Sequence, residues 1–464
     1  MPRSTLAVAA LLTALSASAA EPPLALVGVN VVPMDRERVV AGQTVLVKDG
    51  RIARVGPVKE VPVPEGATRV DAAGKYLMPG LAEMHAHLPG GQAPEALVER
   101  VLALFAINGV TTIRGMLGHP RHLPLRARLE KGELLGPRLV TSGPSLNGNS
   151  VKSPEEGVRA VAEQKAAGYD FLKIHPGLSL ASFDAIAAEA GRQGIRFAGH
   201  VPTEVGVLRA LEARYATIDH ADGYLEAMLK EGAPVDAKQP TFFGLGLVEH
   251  LDEGKLQALV RKTVAAGVWV VPTQHLMELF TGPETGEELA KRPEVATVPA
   301  PIVENWKKQR TAFLSDPELN PERARRFLAV RRRLLRALHD GGAGLLLGSD
   351  AIQVFSVPGF SIPEELASLV RCGLTPYQAY VTGTRNVARF LGEEKDAGTV
   401  EEGKRADLLL LDRNPLQDVG NVKSPAGVVL RGRWLPRTEL ERRLAELKRS
   451  AAEPPPPPPT APPA

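Results

Sequence analysis

Six side chains that could bind metal ions stand at the ends of short apolar runs: His85, His87, Lys173, His200, His220 and Asp350. Imidazole and carboxylate groups are ordinary ligands of zinc-like metals. A lysine ammonium has no lone pair to donate, but a lysine that has reacted with CO2 is an anionic carbamate whose two oxygens can bridge two cations. The set therefore suggests a hydrolytic site with two divalent metal ions, zinc being the first expectation.

The spacing of the histidines favours ligands over core residues. His85 and His87 are two apart in a strand-like run, so both point to one side of the strand, as two ligands of one ion must. A lone pair of this kind could equally fill a core, but His200 and His220 also end strand-like runs, one strand–helix unit apart. Asp350 could cap a turn; we interpret it as a metal ligand and general base.

Lys173 lies among apolar residues in the run Phe171-Leu172-Lys173-Ile174. Burial would lower its pKa and favour the neutral amine that reacts with CO2. The alternative is a structural lysine that reaches for solvent or pairs with a carboxylate.

The elements that would position these residues are strand-like runs that alternate with helical patterns, which predicts an α/β fold with parallel strands. Eight strands can be assigned: Leu81–His87, Val110–Arg114, Arg138–Ser142, Asp170–His175, Arg196–Val201, Ala216–His220, Val268–Thr273 and Gly344–Asp350. Eight strand–helix units predict a closed (β/α)8 TIM barrel, whose active site lies at the carboxyl ends of the strands. The long connection before the last strand predicts an extra helix near Ile302 to Phe313.

β-type sequence flanks this region on both sides. Residues 21–79 and 398–437 contain short β-branched runs, with Asp49-Gly50 as a hairpin signal. Neither segment could bury a core alone, so we predict one small β-sandwich domain built from both chain ends around a barrel at residues 80–397. Residues 438–452 are predicted as a C-terminal helix and 453–464 as a disordered proline-rich tail.

Residues 1–20 have the pattern of a cleavable signal peptide, with Arg3, an apolar run and small residues at 16–20. The run is too short to span a bilayer, and no later stretch qualifies. We therefore expect a periplasmic or secreted protein without a membrane span. With Cys372 as its single cysteine, the chain cannot form an internal disulfide.

Charge and composition favour a small-molecule substrate over a nucleic acid. The 56 basic and 53 acidic side chains leave a net charge of +3, without the concentrated basic face of a nucleic-acid-binding protein. One arginine cluster comprises Arg323, Arg325, Arg326, Arg331, Arg332, Arg333 and Arg336. Apolar residues at 327, 330, 334 and 338 predict a buried stripe, so we interpret the arginines as the solvent-facing side of a helix, with an anion site as the alternative. Homo-oligomerisation is left open.

The chain resembles the amidohydrolase superfamily, specifically its imidazolonepropionase-like and Xaa-Pro-dipeptidase-like branch, over about residues 24–436. The motifs that carry the resemblance are Pro79-Gly80-Leu81 before His85-Ala86-His87, Asp170-Phe171-Leu172-Lys173-Ile174, Gly199-His200-Val201, Asp219-His220, Gly348-Ser349-Asp350 and Gly398-Thr399-Val400 with Ala406-Asp407-Leu408. One departure is Arg114-Gly115, where many relatives have Arg-Asp.

The resemblance implies His85, His87 and Asp350 on one ion, His200 and His220 on the other, and carbamylated Lys173 as the bridge. It implies an amidohydrolase that cleaves the C–N bond of a dipeptide or N-acyl amino acid-like substrate by attack of a metal-bridging hydroxide, with Asp350 accepting its proton and passing it to the leaving group. A mononuclear cyclic-amide hydrolase or deaminase usually has a carboxylate in place of the lysine. A non-catalytic scaffold would have lost ligands that are all present here.

Substrate contacts are less defined. Tyr224, after the sixth strand, could donate a hydrogen bond to a substrate carboxylate, and His275, after the seventh, could face the pocket. A structural role is the alternative for each. His175 alternates with Lys173 and is expected behind the ligands.

Overall fold

The computed structural model describes residues 22–236, 238 and 241–453. The predicted signal peptide lies outside these residues, as does the proline-rich tail from residue 454 onward. Within the described part of the chain, no helix has both the length and the hydrophobicity needed to cross a bilayer.

The described residues form fifteen strands and fifteen α-helices. The strands are β1 (Leu24–Val31), β2 (Val40–Lys48), β3 (Arg51–Pro57), β4 (Thr68–Asp71), β5 (Tyr76–Pro79), β6 (Leu81–Ala86), β7 (Val110–Gly115), β8 (Arg138–Thr141), β9 (Phe171–Ile174), β10 (Arg196–Gly199), β11 (Thr217–Asp219), β12 (Trp269–Val271), β13 (Leu408–Leu411), β14 (Gly427–Leu430) and β15 (Arg433–Pro436). The helices are α1 (Glu95–Ile107), α2 (His122–Glu130), α3 (Pro154–Ala167), α4 (Leu180–Gln193), α5 (Gly206–Glu212), α6 (Tyr224–Ala227), α7 (Leu256–Ala266), α8 (Gln274–Thr281), α9 (Gly286–Leu289), α10 (Ala300–Leu314), α11 (Pro321–Asp340), α12 (Ser361–Arg371), α13 (Pro376–Gly383), α14 (Arg385–Leu391) and α15 (Arg437–Ala452).

Strands from both chain ends form one mixed sheet of eight strands, in the order β15-β14-β13-β5-β1-β2-β3, with β4 paired to β1. Direct pairing of β5 with β13 joins the strands of the two chain ends, as the prediction of one small domain built from both ends requires. The hairpin between β2 and β3 turns at Asp49 and Gly50, whose φ angles of 50° and 74° match the left-handed turn that this dipeptide favours. Apolar residues of β1, β2, β13 and β14 pack together as a core.

The remaining strands pair in parallel and carry the site. β6, β7 and β8 form one ladder and β9 to β12 form another, and the bridge from Ser142 to Phe171 joins the two. For seven of the eight predicted strands, both predicted ends lie within two residues of the observed ends. The α/β class is therefore confirmed.

The eighth predicted strand, residues 344–350, differs from expectation because it forms an isolated bridge from Leu345 to Val270 instead of a ladder. The Leu347 N–H donates to the Thr382 carbonyl in α13, so it cannot pair with a neighbouring strand. The segment still contacts β6, since Met84 N–H donates to the Leu347 carbonyl at 2.8 Å. Hydrogen bonds thus link the first, seventh and eighth segments.

The connection between β12 and this segment contains α8 to α11, and α10 occupies the position of the extra helix that the sequence predicts. In α11 the apolar stripe is buried as expected. Arg331 corrects the interpretation of the arginines as a solvent-facing row, because its side chain is 1% exposed. It lies on the stripe itself, four residues after Phe327 and three before Leu334.

Candidate metal centre

The six predicted ligands meet at the carboxyl ends of the parallel strands. His85 lies in β6 and Lys173 in β9, while His87, His200 and His220 directly follow the ends of β6, β10 and β11. Side chains at these positions converge because parallel strands end at one edge.

His85, His87 and Asp350 form the first group of candidate ligands. One ligand atom from each lies within 4.8 Å of the others, so the three could hold a metal ion. The Asp350 Oδ1 is 2.8 Å from His87 Nε2 and 3.7 Å from His85 Nε2. Both imidazole rings therefore lie near the same carboxylate oxygen, in agreement with the prediction that side chains two residues apart point to one side of the strand.

Lys173, His200 and His220 form the second group, next to the first. The ring centroid of His220 lies 4.6 Å from that of His200 and 4.5 Å from that of His85. Among the described residues, Lys173 Nζ, His220 Nε2 and His85 Nε2 have no hydrogen-bond partner although they are buried. Such groups cost about 1–3 kcal/mol each, so three of them at one place fit a site completed by divalent cations.

The protonation states suit metal binding. Burial lowers the pKa of Lys173, against the opposing attraction of Asp219 and Asp350, and lowers that of His200 to about 3, aided by Lys173. Neutral imidazole is the form that binds a metal, and the neutral amine is the form that reacts with CO2. Gly199 leaves room for the lysine, since a Cβ at this residue would lie 2.8 Å from Lys173 Cδ.

Polar neighbours orient two of the imidazoles. His220 Nδ1 lies 2.8 Å from Thr273 Oγ1, and His200 Nδ1 lies 2.7 Å from Asp222 Oδ2. A partner on Nδ1 fixes the ring and leaves Nε2 for a metal, as in most histidine sites. The ring of His175 lies edge-on to that of His200, with centroids 4.7 Å apart.

Arg331 supports the turn that presents His220. Its guanidinium donates to the carbonyls of His220 at 2.8 Å and Pro272 at 3.0 Å and to Gln274 Oε1 at 3.0 Å. His220 and Thr273 have φ angles of 61° and 45°, a left-handed backbone that costs about 1–3 kcal/mol in non-glycine residues. Residue 331 lies on the apolar stripe of α11, and this position predicts a buried side chain. The charge of the arginine, taken alone, suggests an exposed one.

Two more buried charges lie behind His85. Arg114 donates to Asp219 Oδ1 at 3.1 Å and to the Met84 carbonyl at 2.7 Å, so its charge is paired. Asp219 Oδ2 lies 3.1 Å from His85 Nδ1, without the alignment of a hydrogen bond. Sequence reasoning did not identify Asp219 as a partner.

Glu83 connects the first strand with the eighth segment. Its carboxylate accepts the N–H groups of His85 at 2.8 Å and Ser349 at 2.9 Å. Burial raises its pKa to about 8. Because Asp350 follows Ser349, this contact sets the separation between two predicted ligands.

A cavity of about 1130 Å³ opens beside His200 and Asp222. Phe243 bounds it, with its ring centroid 5.2 Å from that of His220. The two predicted substrate contacts lie elsewhere. Tyr224 is buried with its hydroxyl 2.7 Å from Thr263 Oγ1, and His275 borders a separate cavity of about 270 Å³.

Comparison with known proteins identifies the family. The amidohydrolase family matches residues 76–435. Imidazolonepropionase from Symbiobacterium thermophilum is 26% identical over 413 residues, which cover 80% of this chain and 84% of that protein. A candidate prolidase from Bifidobacterium longum has a TM-score of 0.66 at 26% identity, covering 92% of this chain and 99% of that one. A Xaa-Pro dipeptidase with bound methionine has a TM-score of 0.64 at 19% identity, covering 89% and 100%. The chain therefore belongs to the amidohydrolase family, in the branch with imidazolonepropionase and Xaa-Pro dipeptidases among its relatives.

Proposed function

We propose that this protein is a metal-dependent amidohydrolase that cleaves an amide C–N bond in a dipeptide or N-acyl amino acid-like substrate. The observation that carries the proposal is the meeting of all six ligand-type side chains, with three buried nitrogens left without partners, next to a large cavity that His200 lines. In this proposal the parallel strands form a closed (β/α)8 barrel, as the linking hydrogen bonds and the structural relatives support.

The donor set fits two cations. His85, His87 and Asp350 would hold one, His200 and His220 the other, and Lys173, carboxylated by CO2, would bridge them. When bound, divalent cations acidify a water molecule and polarise a substrate carbonyl. We propose zinc as the metal, because imidazole nitrogens and carboxylate oxygens are its ordinary ligands.

Asp350 is the proposed proton carrier. Its carboxylate is nearly buried and lies at the centre of the first group, where it can accept a proton from the attacking water and return it to the leaving nitrogen. His200, beside the cavity, faces the side from which a substrate would enter. Phe243, whose ring centroid lies 5.2 Å from that of His220, would limit water access there.

Turnover and metal content together test this function. Protein loaded with zinc in bicarbonate buffer should contain two ions per chain and hydrolyse members of a panel of dipeptides and N-acyl amino acids, with lactones as a non-amide comparison. Mass spectrometry should detect an added CO2 on Lys173 under conditions that preserve the carbamate. Failure to hydrolyse any amide with both ions bound would contradict the proposal.

A mononuclear cyclic-amide hydrolase is the second candidate, because the compact group of three ligands could hold one ion alone and imidazolonepropionase is a relative. One ion per chain and ring opening of cyclic amides would favour it. A non-catalytic scaffold would retain no ion.

The leader-like residues 1–20 support action outside the cytoplasm, which labelling of intact cells would test.

A further inference from the structure

The cavity beside His200 is apolar with an acidic side. Its apolar lining includes Leu178, Val205, Leu208, Phe242 and Phe243, and its volume of about 1130 Å³ exceeds the range of about 300–1,000 Å³ typical of small-molecule sites. Phe242 packs on Phe280 and Phe313, with centroids 5.1 Å and 4.6 Å away. This wall suits a bulky apolar group.

The charged lining residues are unequal in sign. Glu204, Asp222 and Glu226 contribute carboxylates, whereas Lys238 is the one ammonium among the described lining residues. Lys238 Nζ is already 3.0 Å from Glu204 Oε2 at the rim, and Asp222 is engaged with His200. Among the described lining residues, no unpaired cationic side chain is therefore left to bind a substrate carboxylate.

Glu226 is the carboxylate without such a partner. Among the described residues, no side chain lies within hydrogen-bonding distance of it, and the nearby Arg331 directs its donors to Gln274, His220 and Pro272. Burial, together with the charge of Asp222, raises the pKa of Glu226 to about 7, although the backbone N–H groups of Gly223 and Glu226 favour its anion. A bound cation would stabilise the anionic form of a half-buried carboxylate that faces the cavity in this way.

We propose that Glu226 binds a primary ammonium group of the substrate, so that the preferred substrates combine a free amine with a bulky apolar group. The inference rests on the proposed function of the site. It separates two substrate classes that the ligand set leaves together, since an unblocked dipeptide has this amine and an N-acyl amino acid does not. The competing role for Glu226 is to cap the short helix α6, for which ligand charge is irrelevant.

Binding of two small probes tests the inference independently of turnover. Phenylalanine amide carries the ammonium group, and N-acetylphenylalanine amide is its neutral counterpart. Calorimetric titration of the zinc-loaded protein should show phenylalanine amide binding about tenfold more tightly than N-acetylphenylalanine amide, as expected for one charge-assisted contact. Glu226→Gln keeps the shape and the capping oxygen but should abolish that preference. Glu231→Gln, at an exposed residue outside the cavity lining, is the matched control and should retain it.

Equal binding of the two probes to the unaltered protein, or an unchanged preference in Glu226→Gln, would overturn the role of Glu226. Turnover reports on the proposed function separately. If the protein discriminates between the probes but hydrolyses no amide, the hydrolase assignment fails while the amine site stands. If it hydrolyses N-acyl amino acids as well as dipeptides and Glu226→Gln leaves both rates unchanged, the hydrolase assignment stands and the amine site fails.

Discussion

The two halves of the candidate metal centre differ in how completely the protein assembles them. In the first half, Asp350 contacts His87 and approaches His85, so a carboxylate already joins the ligands. The candidate ligands of the second half are all nitrogen donors: Asp350 comes no nearer to His220 than 3.8 Å from its Nδ1, and Lys173 Nζ has no hydrogen-bond partner among the described residues. In the proposed site, the first half could bind an ion as folded, whereas the second would gain an anionic ligand from carboxylation of Lys173.

The largest effect should come from removing that anion. Lys173→Ala should lower turnover more than about 1,000-fold, because both the bridge and the second cation would be lost. Elemental analysis should find the metal content reduced from two ions to one per chain, with the first half still occupied. Lys165→Ala, at an exposed residue of α3, is the control. Two retained ions and full activity in Lys173→Ala would contradict the bridging role.

Asp350→Asn should affect the other half. The amide keeps the shape but cannot accept the proton, so kcat should fall by about 100- to 1,000-fold. The ion held by His85 and His87 should bind more weakly, while carboxylation of Lys173 persists. Pre-steady-state kinetics and mass spectrometry would check the two parts, and an unaltered kcat would exclude Asp350 as the base.

Arg331→Met should weaken the second half through the backbone. Removing the guanidinium leaves the His220 and Pro272 carbonyls without their donors, which should lower the free energy of unfolding by about 3 kcal/mol. Dialysis against a chelator should release the second ion before the first. Arg333→Met removes only an exposed ion pair with Glu253 and should cost about 0–1 kcal/mol. If both variants lose metal alike, Arg331 has no specific role.

Asp222→Asn should give the smallest change. An amide oxygen can still accept from His200 Nδ1, but without the charge, so affinity for the second ion should fall about tenfold. Competition with a colorimetric zinc chelator would measure this loss, and the first ion should be unaffected. Equal weakening of both ions would show that Asp222 does not act on His200 alone.

The ligand types and the parallel strands were predictable because strand ends and a two-residue alternation are local properties of the sequence. Partners from distant segments were not. Arg331 reaches His220 from a helix 111 residues later, and Asp219 meets Arg114 across 105 residues. The substrate side was the least predictable, since in the four-residue helix α6 no periodicity tells which residue faces the cavity. Tyr224 points to Thr263, and Glu226 faces the cavity instead.

The sheet shared by both chain ends has a consequence for biosynthesis. β5 ends at Pro79, and its partner β13 begins only at Leu408. At about 5–20 residues per second, tens of seconds of translation separate the two strands. During this interval the edge of β5 lacks its neighbour, and an unpaired edge invites association with other chains. A nascent chain of this kind would gain from a chaperone that covers the early strands until β13 has left the ribosome.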